Sequence, residues 1–477
     1  MTSSKKRKRN LGSEKNASIS KISWLQRFDL SFDSVAAGVL AILALLVSAT
    51  VLLGEGAGIQ VRLDLPEDGI VGPYQPVTLT FSESFDPEMT SDLIFFDPVH
   101  EGYLEWVDTY TMRFVPLKPY ERDLTYKVNI GVGEVAVNGR EVKQAQTWNF
   151  TIREPLVVYM LASEGESGIW TIGLQDDAPK RLTDESIKVM SFDAAQSGEF
   201  VIFASINLNG GVDLWRVSRE GGDEALLLDC GYDRCTTPVI SPDGKRIAYS
   251  REAAGPTPDI PFGSPRVWVV DLENGSDAPV YEDQQILGYN PVWSPDSNKL
   301  ASFDGLADTI HVIDFQSGQQ FIFSSNTGGP MTWSPDSNKL LYTTFSQDNG
   351  GRTLVRMADV SINETMTLIG QNDTYDYSYY SVEWSPLNER AILSLRADES
   401  QFTQSLWVFN PGLLDGILIA DDPNYTYNSP SWDPWGNALV FQQFNLRGQY
   451  KPEISFWQSG MTEPTVIAEG ILPQWLP

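Results

Sequence analysis

From residue 58 onward, the chain is a succession of short apolar runs in which hydrophobic and polar positions alternate. Such runs, bounded by Gly, Pro, Asn, Asp and Ser, are typical of half-buried β-strands joined by tight turns. The runs of residues 58–153 and the repeats of residues 154–477 predict two all-β domains. We therefore expect an all-β fold in which turn chemistry carries much of the information.

One apolar run near the N-terminus is different. Val35–Leu53 is an uncharged stretch of 19 residues. As a helix it would be ~29 Å long, which is close to the thickness of the hydrocarbon layer. We expect residues 34–54 to form a single transmembrane helix. A cleaved signal peptide is the alternative, but Gly54-Glu55-Gly56-Ala57 is a poor cleavage site.

Charge differs on the two sides of this run. Residues 1–33 carry eight basic and three acidic side chains, whereas the whole chain has a net charge of −29. The positive-inside rule then predicts a basic cytoplasmic tail, 1–33, and an extracytoplasmic bulk in a single-pass cell-membrane protein. The cluster Lys5–Arg9 would lie beside anionic lipid. A nuclear-localisation or nucleic-acid patch is the alternative that the neighbouring apolar run disfavours.

The alternating runs of residues 58–153 predict a small Ig-like β-sandwich. The predicted strands are Ile59–Leu65, Val77–Phe81, Leu93–Phe96, Thr111–Val115, Leu124–Ile130 and Thr147–Ile152. This stretch resembles the bacterial Ig-like domain of SbsA-type surface-layer proteins. The resemblance is carried by Phe81–Pro87, Met112–Pro116, Leu124–Val128, Asn138-Gly139 and Trp148–Phe150. It implies a spacer or adhesive module.

Residues 154–477 contain an internal repeat. The octapeptide Trp-Ser-Pro-Asp-Ser-Asn-Lys-Leu occurs at Trp293–Leu300 and again at Trp333–Leu340. A related copy is Ser241-Pro242-Asp243-Gly244. Pro at the second and Asp at the third position suit a type I turn, so each copy predicts the tip of a hairpin. Repeats at a period of about 40–50 residues are typical of β-propeller blades.

The strands around these turns predict seven blades. The strand after the turn and the next strand each occur seven times, whereas the inner strand before the turn occurs six times between residues 192 and 434. Pro473-Gln-Trp475-Leu-Pro477 matches Pro291-Val-Trp293-Ser-Pro295 and supplies the seventh. If residues 471–476 pair with Leu156–Leu161, the C-terminal strand closes the ring and no edge stays open.

The repeats resemble the TolB-like family of propellers, whose signature is a Trp-Ser-Pro-Asp-Gly-Lys hairpin followed by a strand. Ser241–Ser250 (SPDGKRIAYS) is a close copy. The chain departs from the family in its degenerate second blade, and in a count of seven where the TolB propeller has six. The resemblance implies a platform for protein contacts or, in peptidases, a gate before a separate hydrolase domain.

The acidic composition excludes one class of partner. Binding to a phosphate backbone draws most of its affinity from Lys and Arg, so we expect no nucleic-acid partner. The two cysteines, Cys230 and Cys235, lie close enough for a disulfide, and two free thiols are the alternative. With no second cysteine pair and only His100 and His311, we expect no metal site and no cofactor.

No motif of the sequence predicts catalysis. The Gly-x-Ser-x-Gly nucleophile elbow does not occur, and His311 lies in an alternating strand as a structural histidine would. The turn residues Asp243, Asp296 and Asp336 are explained by hairpin capping. Paired carboxylates in the propeller channel remain an alternative, since their separation in space is not visible in sequence.

Tyrosines cluster in the connections that lead into inner strands, which crowd one face of a propeller. Their large area and polar tip suit contacts with a sugar ring or a protein, and packing between blades is the alternative. The candidate ligand-binding residues are Tyr289, Tyr375, Tyr377, Tyr379, Tyr425 and Tyr427.

The sequence supports three alternative hypotheses about function. We expect a membrane-anchored, extracytoplasmic binding or scaffold protein without catalysis, whose partner is an envelope protein or a wall glycan. A cell-envelope hydrolase or lyase that uses channel carboxylates is the second. A purely structural surface component is the third.

Overall fold

The computed structural model describes residues 32–56, 58–163, 166–257, 259–346, 353–370, 378–396, 402–412, 416–448 and 451–477. It divides into two compact units, residues 1–58 and 59–477. The described residues of the first unit form one helix, Phe32–Gly56. Most of the predicted basic tail, 1–33, lies outside the described residues.

The predicted transmembrane helix at 34–54 is wrong. A helix that crosses the hydrocarbon layer needs about 20 consecutive, predominantly apolar residues. Within the described ranges, no helix is both long enough and apolar enough to span a membrane. This finding contradicts the predicted single-pass membrane localisation, with its cytoplasmic N-terminus and extracytoplasmic bulk.

Residues 59–153 form two four-stranded sheets that share one hydrophobic core. The first sheet has the order Val61–Asp64, Val77–Phe81, Thr111–Pro116, Gly102–Trp106, and the second Ile70–Val71, Gln146–Ile152, Thr125–Ile130, Ile94–Asp97. A two-stranded ribbon, Gly133–Glu134 with Glu141–Val142, and a short helix, Pro87–Ser91, complete the region. We call these residues the sandwich.

Alternation explains why the sandwich strands form. In Thr111–Pro116 every second side chain is buried, and Met112 packs with Leu79, Tyr126 and Val128 in the shared core. The sequence pattern located these strands because one face of each is apolar. Gly102–Trp106 was not predicted, because its residues are half-buried or exposed on both faces and show no alternation of burial.

Strand pairing among the described residues of 156–477 gives seven four-stranded antiparallel sets. The first is built from Ile471–Leu476, Leu156–Ser163, Glu166–Gly173 and Lys180–Arg181, and the second from Val189–Ala194, Phe200–Ile206, Val212–Ser218 and Ala225–Leu228. The third contains Arg234–Ile240, Arg246–Glu252, Arg266–Asp271 and Asp277–Pro279, and one parallel bridge, Val212 to Arg234, joins it to the second. We number them sheets 1 to 7.

The remaining four sheets follow in chain order. Sheet 4 contains Gly288–Trp293, Lys299–Asp304, Thr309–Asp314 and Gln320–Ser324; sheet 5 contains Met331–Trp333, Lys339–Phe345, Thr353–Asp359 and Glu364–Ile369. Sheet 6 contains Ser378–Trp384, Ala391–Arg396, Ser405–Phe409 and Gly416–Ala420; sheet 7 contains Tyr425–Trp432, Ala438–Asn445, Pro452–Gln458 and Thr465–Glu469.

The first strand of each sheet is innermost. Each inner strand contacts the inner strand of the next sheet, and those of sheets 7 and 2 both contact Ile471–Leu476. The sheets therefore follow one another around a common axis, which is the arrangement of a β-propeller.

The C-terminal strand closes this arrangement, as expected. Ile471–Leu476 pairs antiparallel with Leu156–Ser163, with Leu476 opposite Leu156 and Trp475 opposite Val157. Two arginines hold its end. Arg153 Nε donates to the Pro477 carbonyl oxygen at 3.0 Å, and Arg219 Nη1 donates to the same atom at 2.8 Å. Sheet 1 thus joins both ends of the propeller region.

The repeated turns have the predicted local chemistry. In sheet 4, Ser297 N–H donates to the Ser294 carbonyl at 2.8 Å, and the Ser294 hydroxyl accepts from Lys299 N–H at 2.9 Å. Burial alone would raise the pKa of Asp296, but hydrogen bonds from the Ser294 hydroxyl and from Asn298 outweigh it and lower that pKa. The turn aspartates are accordingly structural.

Candidate functional site

Seven equivalent positions ring the propeller axis. Each directly precedes the inner-strand position that Trp occupies in five of the sheets. That position is the last paired residue of the inner strand in sheets 2 to 7 and the second-last in sheet 1. In order from sheet 1 to sheet 7, the ring residues are Gln474, Asp193, Val239, Val292, Thr332, Glu383 and Ser431. The repeated turn and the strand register therefore determine which side chains lie in this ring.

Tryptophan ties neighbouring sheets together at this ring. In four of these five sheets the indole N–H donates to the main-chain carbonyl of the ring residue in the preceding sheet, whereas Trp384 Nε1 in sheet 6 makes no hydrogen bond with the described residues. The distances are 3.1 Å from Trp293 to Val239, 3.0 Å from Trp333 to Val292, 3.3 Å from Trp432 to Glu383 and 3.1 Å from Trp475 to Ser431. A phenylalanine could fill the same space but could not make this bond.

Polar ring side chains reinforce the same contact, because they too accept hydrogen bonds from the following sheet. Gln474 Oε1 accepts from Ala194 N–H at 2.9 Å, and Asp193 Oδ2 accepts from Ile240 N–H at 2.9 Å. Thr332 and Glu383 likewise accept from the main-chain N–H groups of the following Trp residues, at 3.0 and 3.2 Å. Valine cannot accept a hydrogen bond through its side chain, so Val239 and Val292 form one apolar sector of the ring and the other five residues form one polar sector.

The polar sector of the ring opens into a cavity of about 390 Å³. Its polar side chains are those of Asp193, Gln196, Glu383, Ser431, Gln474 and Tyr74. Trp432, Trp475 and several prolines form the rest of the wall. The volume lies in the usual range of small-molecule sites. Ring residues of sheets 1, 2, 6 and 7 therefore converge on one concave site.

The sandwich contributes one wall of this cavity. The Tyr74 hydroxyl donates to the Pro434 carbonyl at 3.1 Å, and burial, with the nearby Asp433 carboxylate second, raises the pKa of Tyr74. Trp435 Nε1 donates to the Tyr120 carbonyl at 2.9 Å, while the Arg122 guanidinium lies 3.8 Å from the Trp435 ring centre. These contacts hold the Tyr74 loop against the turn end of the propeller.

Two carboxyl groups in the cavity have raised pKa values. Burial raises the pKa of Asp193 to about 7 and that of Glu383 to about 8. Main-chain N–H donors act in the opposite direction but are outweighed. Near neutral pH, Glu383 is therefore mostly protonated and Asp193 partly so, and a protonated carboxyl is a hydrogen-bond donor as well as an acceptor.

The predicted tyrosines that the structure describes do not line this cavity. Tyr289, Tyr425 and Tyr427 stand at the start of their inner strands, the opposite end from the cavity. Tyr289 is 39% exposed, whereas Tyr427 is buried and its ring lies 6.5 Å from that of Tyr425. Tyr379 belongs to strand Ser378–Trp384, and Tyr375 and Tyr377 lie outside the described residues. Packing thus accounts for Tyr427, while Tyr289 is open to solvent.

The two cysteines form a disulfide, Cys230–Cys235, at the same end of the propeller as the tyrosines. Both residues are buried, and Cys230 N–H donates to Asp213 Oδ1 at 2.9 Å. The bridge closes the loop that connects sheets 2 and 3. Exposed Tyr232 projects from this loop.

The buried histidine of sheet 4 belongs to a separate cluster. His311 Nε2 lies 3.7 Å from Asp304 Oδ2, and burial lowers the pKa of His311 although Asp304 opposes this. The Tyr281 hydroxyl lies 3.0 Å from the Ser302 hydroxyl beside it. Among the described residues, no group of three or more His, Cys, Asp or Glu side chains is arranged to hold a metal ion.

Sequence reasoning missed the cavity. Asp193, Glu383 and Gln474 had a usable signal, because each directly precedes the Trp of the repeat or its counterpart, at a position where Val stands in two other copies. This position varies between valine and polar residues while the turn beside it is repeated, and alignment of the copies reveals that variation. Tyr74 had no such signal, because its place depends on how the sandwich packs on the propeller.

Comparisons with known proteins bear on the fold alone. No family model matches the chain, and no curated protein matches it. Among solved structures, TolB from Acinetobacter baumannii aligns at 13% identity over 89% of this chain and 84% of that chain, with a TM-score of 0.41. The β-propeller domain of the Trilobed protease from Pyrococcus furiosus aligns at 17% identity over 60% and 84%, with a TM-score of 0.45.

An enzyme is also among the similar structures. An oligogalacturonate lyase in complex with manganese aligns at 12% identity over 87% of this chain and 97% of that chain, with a TM-score of 0.46. The solved structures similar to this chain are thus TolB-like and other β-propeller proteins. They include TolB proteins and a lyase, and the low identities transfer no activity to this chain.

Proposed function

We propose that this chain is a binding protein without catalysis of its own, built on a seven-bladed propeller that its C-terminal strand closes. Its ligand would occupy the cavity at the turn end of the axis. The observation that supports this most is the convergence of polar ring side chains and two tryptophans on one cavity of about 390 Å³. The Ig-like family of the sandwich, with a spacer role, stays a prediction.

The chemistry of the wall favours a neutral polyhydroxy ligand, such as a sugar unit of a glycan. With Asp193 and Glu383 protonated, the wall offers uncharged donors and acceptors from carboxyl, amide and hydroxyl groups. Sugar hydroxyls are donors and acceptors of the same kind, and their rings stack on aromatic faces such as those of Trp432 and Trp475. An anionic ligand would lose hydration without gaining a counter-ion, because the described residues of the wall include no basic side chain.

A ligand titration with the full chain tests this proposal. Isothermal titration with neutral oligosaccharides, among them cellotetraose and chitotetraose, should detect binding by the wild type. Ser431→Leu would fill part of the cavity and weaken the binding at least tenfold. Val292→Leu, at the equivalent ring position outside the cavity wall, should leave it unchanged. Equal affinities for the two variants, or no binding across the panel, would refute the proposal.

A hydrolase or lyase is the second candidate. The observation in its favour is that two carboxyl groups with raised pKa values share one cavity, a common property of general acids. Against it, Asp193 and Glu383 perform the same main-chain bonding as Thr332 and Gln474, which have no acid chemistry. Turnover of a polysaccharide by the full chain, abolished in Glu383→Gln, would establish this candidate.

A further inference from the structure

Large apolar side chains are exposed at the connection between the second and third strands of five consecutive sheets. In sheets 2 to 6, the end of the second strand or the loop that follows it exposes such a residue to solvent. These residues are Leu208, Ile260, Leu306, Phe345 and Phe402. Phe402 is 85% and Leu306 65% exposed. We call the five residues the apolar arc.

Topology places the apolar arc on a single face. Strands alternate in direction within each sheet, so the loop after the second strand lies where the first strand begins. The turns between first and second strands bond to one another at the other end, for example from Asp243 N–H to Ser297 Oγ at 3.0 Å and from Asp296 N–H to Ser337 Oγ at 3.0 Å. The arc and the cavity are therefore at opposite ends of the inner strands.

Exposed acids accompany the apolar arc. They lie in the loops of the same face: Asp229, Asp259, Glu282, Asp283 and Asp308. The basic side chains of sheet 3 at this end are engaged within the protein. Arg234 lies 3.8 Å from the Phe262 ring centre, and Arg251 Nε lies 2.8 Å from Asp233 Oδ2. The face therefore presents hydrophobic area within a negative field.

We propose that this face is a docking surface for a basic, apolar polypeptide segment of another protein. Single exposed apolar residues are ordinary, but these five are exposed on one face of the propeller among polar and acidic residues, and exposed apolar surface with a polar rim marks interaction sites. The negative charge of this face favours some binding partners over others. It attracts Lys and Arg next to the apolar anchors, and it opposes both a second acidic copy of this chain and an anionic lipid surface.

The Cys230–Cys235 bridge supports the same surface. It constrains the loop that carries Tyr232, which is 68% exposed and lies between sheets 2 and 3 on this face. A constrained loop loses less conformational entropy when a partner covers it. The disulfide thereby pre-organises one aromatic contact beside the apolar arc.

Binding of a synthetic peptide to the full chain tests this inference. The probe is an amphipathic 18-residue peptide of Lys and Leu, with a Glu and Leu peptide of the same pattern as its charge control. We expect the basic peptide to bind and the acidic peptide not to bind. Leu208→Ser, Leu306→Ser and Phe402→Ser together should weaken the binding at least tenfold, because they remove apolar anchors and leave every charge in place.

The matched control is a variant with Val99→Ser and Val137→Ser, two apolar residues exposed on the sandwich at 92% and 71%. It should bind the basic peptide like the wild type. Equal affinities for the arc variant and the sandwich variant would overturn the inference, since the peptide would then follow net charge alone. Self-association of the full chain, or binding to phosphatidylglycerol vesicles, that the arc variant abolishes would also overturn it in favour of another occupant.

Discussion

At the scale of single residues, the tryptophan of the repeat links adjacent sheets. Its ring packs beside the inner strand while its N–H reaches the carbonyl of a ring residue in the preceding sheet. This double role explains why Trp, rather than another large apolar residue, stands before the turn. Sequence alone marked these tryptophans as repeat positions, but the bonding partner lies about 40–50 residues away, one blade period, and was not visible.

Loss of one such indole hydrogen bond should lower the free energy of unfolding measurably. Trp293→Phe retains most of the apolar area but leaves the part-buried Val239 carbonyl without its donor. We expect the free energy of unfolding to fall by about 1–3 kcal/mol. Urea denaturation followed by circular dichroism measures this. Trp106→Phe, in a partly exposed sandwich strand, should change it by no more than about 0.5 kcal/mol, and equal losses would contradict the role assigned to the indole N–H.

The cavity acids predict how stability depends on pH. Their pKa values are raised in the folded state, so folding favours the protonated form. Their contribution is complete below pH ~4, where both states are protonated, and is lost as the pH rises through about 7 for Asp193 and about 8 for Glu383. Between these limits each carboxyl contributes a slope of about 1.4 kcal/mol per pH unit.

Removal of these acids should flatten the alkaline branch of the stability profile. The double variant Asp193→Asn and Glu383→Gln keeps oxygen acceptors for the N–H groups of Ile240 and Trp432 but cannot ionise. Urea midpoints measured between pH 5 and 9 should fall less steeply for this variant than for the wild type. The control is Asp336→Asn, because hydrogen bonds in its turn lower the pKa of Asp336. This variant should show the same decrease of urea midpoint with pH as the wild type. Parallel wild-type and double-variant profiles would refute the pKa assignment.

At the scale of elements, the sequence predicted the strands that have one buried face. The inner, second and third strands of the repeats were found because turn residues and apolar alternation bound them. The fourth strands were missed. Glu364–Ile369 has no buried residue, and Thr465–Glu469 likewise exposes or half-buries every side chain. An outer edge strand is held by main-chain pairing, which leaves little trace in the order of hydrophobic and polar residues.

The C-terminal strand should stabilise the whole propeller. Trp475 is buried, pairs with Val157 and donates to the Ser431 carbonyl, so it contacts both neighbours of the junction. We expect Trp475→Ala to lower the free energy of unfolding by about 3–5 kcal/mol. Leu472→Ala, in the same strand at a side chain that is 41% exposed, should cost less than about 1 kcal/mol. Urea unfolding of both variants separates the two outcomes.

A Trp475→Ala variant as stable as Leu472→Ala would contradict the importance of this closure. Trp475 and Leu472 lie in the same strand near the same terminus, so the comparison isolates the contact at the ring junction. Local fraying of the last residues would affect them alike, whereas loss of the contact between sheets 1 and 7 affects Trp475 alone.

At the scale of the whole molecule, the two surfaces that we propose to be functional lie at opposite ends of one axis. The sandwich packs on the turn end and contributes Tyr74 to the cavity, while the apolar arc and its acids occupy the other end. Repeats in the sequence were sufficient to predict the propeller. They could not predict the cavity, since it depends on the packing of the sandwich, and the apolar run near the N-terminus led to a membrane assignment that the structure contradicts.

The claim that the polar cavity is the ligand site is tested most directly by fluorine NMR of the full chain labelled with 5-fluorotryptophan. Trp432 and Trp475 line the cavity, whereas Trp293 and Trp333 hold equivalent places away from its wall. On addition of a neutral oligosaccharide, we predict that the signals of Trp432 and Trp475 shift and those of Trp293 and Trp333 do not. Shifts confined to other tryptophans, or none at saturating oligosaccharide, would contradict the account.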